Sequence, residues 1–158
     1  MFRQLRRKRQ EVPREECSRI LAAEKRGVLA VSGDDGYPYA VPVNFYYDET
    51  EERIYLHGAK EGHKLDAIRG NDKVCFTVWD RGRQEDGDWS FHVTSVVAFG
   101  RAELMEDGAL ALEKLRALGL KYYPDADEVE EELRRSQGYV QMLAICIEHM
   151  TGKLVHER

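Results

Sequence analysis

Several classes of protein are excluded by what this sequence lacks. No apolar run approaches the roughly 20 residues needed to cross a bilayer, and the N-terminus has no apolar signal-peptide core. We therefore expect a cytoplasmic protein without a membrane partner. Cysteine is scarce: Cys17, Cys75 and Cys146 are odd in number, far apart and set in apolar stretches. This pattern predicts buried, reduced thiols, and the absence of CxxC and HExxH predicts no metal site.

The composition is that of a globular protein. A length of 158 residues predicts one domain, residues 1–158, and 42% hydrophobic with 34% charged residues argues against disorder throughout. The formal net charge of −5 argues against a general nucleic-acid binder. The basic run RRKRQ, residues 6–10, lies in an N-terminal arm of residues 1–12. We interpret it as a solvated arm, with nucleic-acid contact as the alternative.

Hydrophobic period and turn residues predict a mainly β fold. Residues 12–27 have the pattern of an amphipathic helix, and a hairpin follows over residues 27–48, where Pro42 indicates an edge strand or a bulge. Further strands are predicted at 53–58, 73–80, 89–104 and 139–150, and helices at 107–123 and 127–138. Because short turns join most strands, the pattern favours a small antiparallel barrel over a doubly wound sheet.

The segment IYLHGAKEGHKLDAIRGNDKVCFTV, residues 54–78, carries the chemistry. Gly58 and Gly62 allow a ligand to approach the backbone closely, while Lys60, His63 and Lys64 supply cationic or titratable donors. A short helix begins at once, so its unpaired N–H groups point back into the loop. These features indicate a site for a phosphate monoester. The alternative is a solvent-exposed turn with no ligand.

The same segment, with GVLAVSGDDGYPYAVPVNFYYD, SVVAFGRAEL and IEHMTGK, resembles the flavin-binding split-barrel superfamily of pyridoxamine 5'-phosphate oxidase. Within it, the chain is most similar to the branch that contains the 5-nitroimidazole resistance (Nim) proteins. The resemblance runs from about residue 6 to residue 153, and its most specific part is the His-Gly-Ala-x-x-Gly-His-Lys-Leu-Asp block. It implies a six-stranded antiparallel Greek-key split barrel, a homodimer, and FMN bound in a groove between two subunits.

The resemblance also implies which residues bind the cofactor. The flavin ring edge and ribityl chain would lie along the second strand, the phosphate at the end of the third strand and the start of the short helix, and one further contact on the fifth strand. These cofactor-binding residues are Pro42, Val43, Asn44, Phe45, His57, Gly58, Gly62, His63, Lys64 and Ser95. His63 stands where the oxidases commonly have Arg, so a titratable group replaces a permanent charge.

The resulting hypothesis is an FMN-dependent oxidoreductase that reduces a small organic acceptor such as a nitroimidazole or another nitroaromatic compound. No substrate-binding Arg/His pair of the oxidases is found near the C-terminus, which argues against vitamin B6 oxidation. His63 is the candidate catalytic residue: it binds the phosphate, or it donates a proton or hydrogen bond to the acceptor. The alternatives are a non-catalytic flavin- or haem-binding protein on the same barrel and a structural protein. His57, His63 and His92 lack the close spacing of a zinc motif.

Overall fold

A computed structural model describes residues 1–157, so Arg158, the last residue of the predicted domain, lies outside the described residues. The strands are β1 (Glu11–Val12), β2 (Arg26–Ser32), β3 (Pro38–Asn44), β4 (Tyr46–Asp48), β5 (Arg53–Ala59), β6 (Lys73–Trp79), β7 (Arg83–Gln84), β8 (Phe91–Leu104) and β9 (Val140–Glu157). The helices are α1 (Arg14–Ala23), α2 (His63–Gly70), α3 (Ala109–Tyr122) and α4 (Ala126–Ser136). Two 3-10 turns, Lys8–Gln10 and Asp34–Gly36, complete the described elements.

The strands form one curled antiparallel sheet in the order β3-β2-β6-β8-β9-β5-β4, with β1 paired to β9 and β7 to β8. This confirms the predicted mainly β split barrel with flanking helices. The predicted count of six strands was wrong, because the described residues form nine. Phe45 separates β4 from β3, and β1 and β7 are two-residue additions. Pro42 lies on β3, an end strand of the sheet, as its missing N–H predicts.

The barrel core is built from alternate residues of neighbouring strands, those that face inward. Leu29, Phe76, Val78 and Val96 are almost fully buried and belong to one cluster. Helix α1 packs Cys17, Ile20 and Leu21 into this cluster, and α2 packs Leu65 and Ile68 into it. Burial of these side chains explains why short helices form at these two positions, since an isolated eight-residue helix is marginal in water.

Helix α3 covers a second apolar surface, on the other side of β5 and β9. Tyr55, Ala111, Met142 and Ala144 form this smaller cluster. Next to it, the buried Lys114 of α3 donates to Asp48 at 2.9 Å and to Glu51 at 2.8 Å. Because α3 covers this side of the sheet, β5 is buried on both faces at Ile54, Tyr55 and Leu56, and β9 is buried on both faces over residues 142–145.

On the outward side of β6, β8 and β9, Phe2 of the N-terminal arm stacks on Phe99 and His149. We call this surface the outer face and define it by Cys75, Thr77, Val93, Val97, Thr151 and Val155. Thr77 pairs with Val97, and Val97 pairs with Thr151, so these side chains lie in one row across three strands. A sheet face in water usually carries polar residues. The outer face is instead half-buried and largely apolar.

Other boundaries differ modestly from those predicted. Strand β9 continues to Glu157 rather than ending near residue 150, because β8 is long enough to pair with it throughout. Cys75 and Cys146 are half-buried, and only Cys17 is fully buried as predicted; all three are free thiols. In the basic arm, Phe2 stacks on His149 with ring centroids 4.8 Å apart. No helix within residues 1–157 has the length and apolar character that crossing a membrane requires.

Candidate functional site

The candidate site lies where the barrel is split, between the end strand β3 and the outgoing end of β5. A cleft of about 360 Å³ opens there. Its lining residues are Arg26, Pro42, Val43, Asn44, His57 and Lys64. Five of these six were predicted from the sequence, and the fold brings together residues as far apart in the chain as Arg26 and Lys64.

Gly58 allows the Lys64 ammonium to reach the cleft. A Cβ placed on Gly58 would lie 2.8 Å from Lys64 Nζ, closer than real Cβ contacts allow. Lys64 extends from the first turn of α2 back across β5, so the glycine and the lysine act as one structural unit. The sequence analysis assigned the space over this glycine to a ligand, and in the structure the Lys64 ammonium lies there.

Positive charge in the cleft is not neutralised by the protein. Neither Arg26 nor Lys64 forms an ion pair with a carboxylate among the side chains of residues 1–156. Partial burial and the nearby Lys64 ammonium lower the pKa of His57, so its imidazole is neutral at pH 7 and can donate one hydrogen bond. Two uncompensated cations beside a neutral donor favour an anionic ligand.

Arg26 is the residue that the sequence analysis missed. It begins β2 and pairs directly with Asn44 on β3. If the pairing of the two hairpin strands is continued from the turn to the strand ends, Arg26 lies opposite Asn44, a predicted site residue. The signal was therefore present in the sequence, at the far end of the strand pair.

The N-terminus of α2 borders the same cleft. Gly62 precedes the helix with φ of 135°, a conformation that favours glycine, and its carbonyl accepts from Leu65 N–H at 2.9 Å. The N–H groups of His63 and Lys64 have no backbone acceptor among the described residues. They therefore add two donors and the positive end of the helix dipole at this position.

His63 lies beside the cleft rather than among its lining residues. Its ring stacks on Tyr39 with centroids 4.1 Å apart, and its Nε2 is 3.6 Å from the carboxylate of Asp34. Contact with a phosphate in the cleft would require the imidazole to leave both partners. Its two predicted roles, phosphate binding and donation to an acceptor, stay predictions. Lys60 is likewise engaged elsewhere, in an ion pair with Asp107.

Two other predicted residues lie away from the cleft. Phe45 is fully buried in the core, and its backbone N–H donates to Tyr122 Oη at 2.9 Å. Ser95 lies on the same side of β8 as the outer face, paired with Trp79 on β6 and Lys153 on β9. A cofactor held at the split would therefore not reach Ser95 of the same chain.

Tyr122 fixes the backbone on which the cleft is built. Besides accepting from Phe45 N–H, its hydroxyl contacts the carbonyls of Phe45 and Lys25. Lys25 immediately precedes Arg26, and Phe45 immediately follows Asn44. The Tyr122 hydroxyl thus holds the backbone of both β2 and β3 next to Arg26 and Asn44. No sequence pattern indicated this role.

A second and larger cavity adjoins the cleft beneath α3 and α4. It has a volume of about 580 Å³, and Asn44 and His57 line both cavities. We call it the helical cavity, because α3 and α4 supply most of its walls, among them Leu115, Leu118, Val129 and Leu133. Both volumes are in the range of small-molecule sites, which are about 300–1,000 Å³.

The family is decided by comparison of the sequence with known families. The profile of pyridoxamine 5'-phosphate oxidase matches residues 13–154. The chain belongs to this family. The match includes every residue that lines the cleft, together with α3, α4 and the greater part of β9. Among proteins with curated descriptions, none matches the chain.

Solved structures share the fold of this oxidase-family chain. A candidate 5-nitroimidazole antibiotic resistance protein from Bacteroides thetaiotaomicron is 22% identical with a TM-score of 0.76, over 92% of this chain and 87% of that one. An FAD- and haem-binding protein from Mycobacterium smegmatis is 24% identical with a TM-score of 0.72, over 92% and 72% of the two chains. An FAD-binding protein from Mesorhizobium loti is 24% identical with a TM-score of 0.64, over 92% and 95%.

The chemistry of the cleft residues suits an anionic ligand. Arg26 and Lys64 bring cationic charge that no protein carboxylate within residues 1–156 neutralises, and the missing Cβ of Gly58 leaves room for the ammonium. The exposed edge strand β3 offers backbone groups of Pro42, Val43 and Asn44 along one wall. These residues fit a phosphate-bearing cofactor with an extended polar chain.

Proposed function

We propose that this protein binds FMN at the split of the barrel and transfers electrons from a reduced donor to a small organic acceptor, such as a nitroaromatic compound. The observation that carries the proposal is the cleft in which Arg26 and Lys64 converge without a protein counter-charge. The family match and the flavin-binding neighbours support a flavin, and the chemistry of the cleft supports one with a terminal phosphate.

The phosphate would be held by charge and by directed N–H groups. Lys64 supplies a point charge above Gly58, Arg26 supplies a planar pair of donors, and the first N–H groups of α2 supply the helix dipole. His57, with its lowered pKa, would act as a neutral donor rather than a third cation. We propose that this set prefers a dianion over a neutral ribityl end.

A homodimer forms part of the proposal. The outer face is largely apolar and half-buried, and it extends over three strands. We propose that it packs against the same face of a two-fold related copy. Ser95, which the family resemblance assigns to the cofactor, lies on this side of β8. Burial of the outer face against a second copy would bring the Ser95 of one chain toward the cleft of the other, which a single chain cannot do.

When bound, FMN would supply the redox chemistry by accepting and releasing electrons. The residues of the chain have other tasks. The cleft cations hold the phosphate and so fix the position of the ring, and the edge of β3 orients it. Asn44 and His57, which border both cavities, can donate hydrogen bonds toward an acceptor next to the ring. Helices α3 and α4 exclude water from that side.

A non-catalytic cofactor-binding role is the second candidate. His57 is exposed at the cleft, and its lowered pKa keeps it neutral, the form in which imidazole binds a metal. A protein that stores or senses a flavin or a haem would need the same cleft but no site for an electron acceptor. The absorbance spectrum of the purified protein separates a flavin from a haem directly.

The test of the proposed function has two stages. FMN binding to the apoprotein is measured first, by quenching of flavin fluorescence. The FMN-loaded protein is then reduced with dithionite and mixed with metronidazole in a stopped-flow instrument without oxygen. Reoxidation faster than that of free reduced FMN is expected. Tight FMN binding with reoxidation no faster than free FMN would leave only the non-catalytic role, and absence of FMN binding would refute both flavin roles.

A further inference from the structure

The helical cavity has apolar side walls. Leu118, Val129 and Leu133 are buried at its sides. Helices α3 and α4 pack directly at Gly119, where an added Cβ would lie 2.9 Å from Val129 Cγ1. The two helices therefore meet in close contact beside the cavity. Its 580 Å³ are enough for a ring-sized molecule.

The rim of the helical cavity carries negative charge. Glu128, Glu131 and Glu132 of α4 line it, and Arg135 pairs with Glu131 only. Glu128 and Glu132 have no cationic partner within 4 Å among the side chains of residues 1–156. They are four positions apart, a spacing at which like charges destabilise a helix. The rim thus keeps two uncompensated carboxylates on the side of α4 that faces the cavity.

The two cavities therefore have opposite charge and a common border. The cleft contains Arg26 and Lys64, the helical cavity contains Glu128 and Glu132, and Asn44 and His57 lie between them. A phosphate is attracted to the first and repelled by the second. A planar molecule without negative charge can pack against the apolar walls. It can also pack against two tyrosines at the C-terminal end of α3, Tyr122 and Tyr123.

We infer that the helical cavity binds the electron acceptor and selects a flat, apolar, uncharged or cationic molecule over an anion. This inference rests on the proposed function, because it takes the adjoining cleft as the cofactor site. The carboxylates of Glu128 and Glu132 set the selectivity, and Asn44 and His57 orient the bound molecule toward the cofactor.

Three aromatic probes of nearly equal shape test the selectivity: benzamidinium, benzamide and benzoate, which differ in charge. Their dissociation constants are measured by ligand-observed NMR on apoprotein and on FMN-loaded protein. Benzamidinium is expected to bind about 5-fold more tightly than benzoate, the upper range for a solvent-exposed ion pair, with benzamide between them. In the double variant Glu128→Gln, Glu132→Gln the three constants should converge. Glu15→Gln, an exposed helix carboxylate on α1, is the control and should change nothing.

A pair of tryptophan variants tests the location. Ser136 lines the helical cavity, whereas its neighbour Gln137 is exposed and does not. Ser136→Trp should fill the cavity and abolish binding of all three probes, and Gln137→Trp should leave the constants unchanged. FMN affinity, measured by fluorescence on the same variants, should be equal in both and reports whether each variant is folded.

The outcomes separate this inference from the proposed function. Normal FMN binding with no probe binding, or with benzoate bound as tightly as benzamidinium, overturns the inference alone. Displacement of benzamidinium by FMN also overturns it, because the flavin ring would then occupy the helical cavity. Charge-ordered probe binding to a protein that binds no FMN refutes the proposed function and leaves the selectivity of the cavity standing.

Discussion

Replacement of Lys64 by alanine should weaken FMN binding far more than replacement of Lys60. Lys64 Nζ lies over Gly58 in the cleft and has no carboxylate partner among residues 1–156, so its charge is available to a ligand. A hydrogen bond to a charged group contributes about 1.5–3 kcal/mol. At a factor of ten per 1.4 kcal/mol, loss of this contact raises the dissociation constant about 10- to 150-fold.

Lys60→Ala is the matched control. This lysine lies four positions earlier in the chain, in the loop before α2, but its ammonium pairs with Asp107 at the surface. Because such pairs contribute about 0–1 kcal/mol to stability, we expect little change in folding and less than about a 3-fold change in FMN affinity. Flavin-fluorescence titration of both variants measures the difference directly.

A second measurement on the same variants does not depend on FMN. The Lys64 ammonium lowers the pKa of His57, after the larger effect of burial. Lys64→Ala should therefore raise the pKa of His57 in the apoprotein, and Lys60→Ala should leave it unchanged, as followed by NMR. Equal FMN affinities for the two variants would show that the phosphate lies elsewhere. An unchanged His57 pKa in Lys64→Ala would show that the ammonium is not at Gly58.

Three further predictions concern pH, assembly and stability. Burial lowers the pKa of His57 in the folded protein, so at acidic pH the unfolded chain binds a proton that the folded chain does not. The free energy of unfolding should therefore decrease as pH drops below about 6.5. In urea titrations, His57→Gln should remove the part of this decrease that His57 causes. Val97→Asp on the outer face should turn a dimer into a monomer in sedimentation, and a folded wild-type monomer at micromolar concentration would contradict the proposed dimer. Lys114→Met should lower the free energy of unfolding by about 3 kcal/mol, because the carboxylates of Asp48 and Glu51 lose their buried partner. A loss below about 0.5 kcal/mol, the size of a surface ion pair, would refute this role.

The role of His63 is open to a separate test. If its imidazole binds the phosphate, FMN affinity should decrease as pH rises from 5 to 8, the range in which histidine titrates, and His63→Arg should flatten that dependence. In the structure the ring rests on Tyr39 and near Asp34 instead. A wild-type affinity that is constant over this range would exclude the phosphate role. Retained FMN binding with lost acceptor turnover in His63→Arg would favour donation to the acceptor.

Much of the fold could be predicted because local pattern and tertiary structure agree. The six longer strands and all four helices lie at or near their predicted positions, since alternation and turn residues mark them. The three short strands could not be predicted: β1 and β7 have two residues each, and their pairing depends on β9 and β8. The break at Phe45 is set by burial against Phe76, with ring centroids 4.9 Å apart, which no local signal contains.

The site could be predicted where residues close together in the sequence also line the cleft. It could not be predicted where the residues come from distant parts of the chain. Lys64, Gly58 and His57 are close in the chain and meet in the cleft. Arg26 comes from another strand pair, and the contribution of Tyr122 depends on how α3 packs against the sheet. The direction of His63 could not be read from its spacing either, because Tyr39 and Asp34, which hold it, belong to a different hairpin.

The late position of β9 has a consequence for how the chain folds. Residues 140–157 pair with β8, with β5 and with β1, so contacts separated by up to about 140 positions close the barrel. Without this strand, one edge of β5 and one edge of β8 have no partner. Such non-local pairing slows folding, and exposed strand edges promote aggregation. We therefore expect truncation within β9 to yield an insoluble chain.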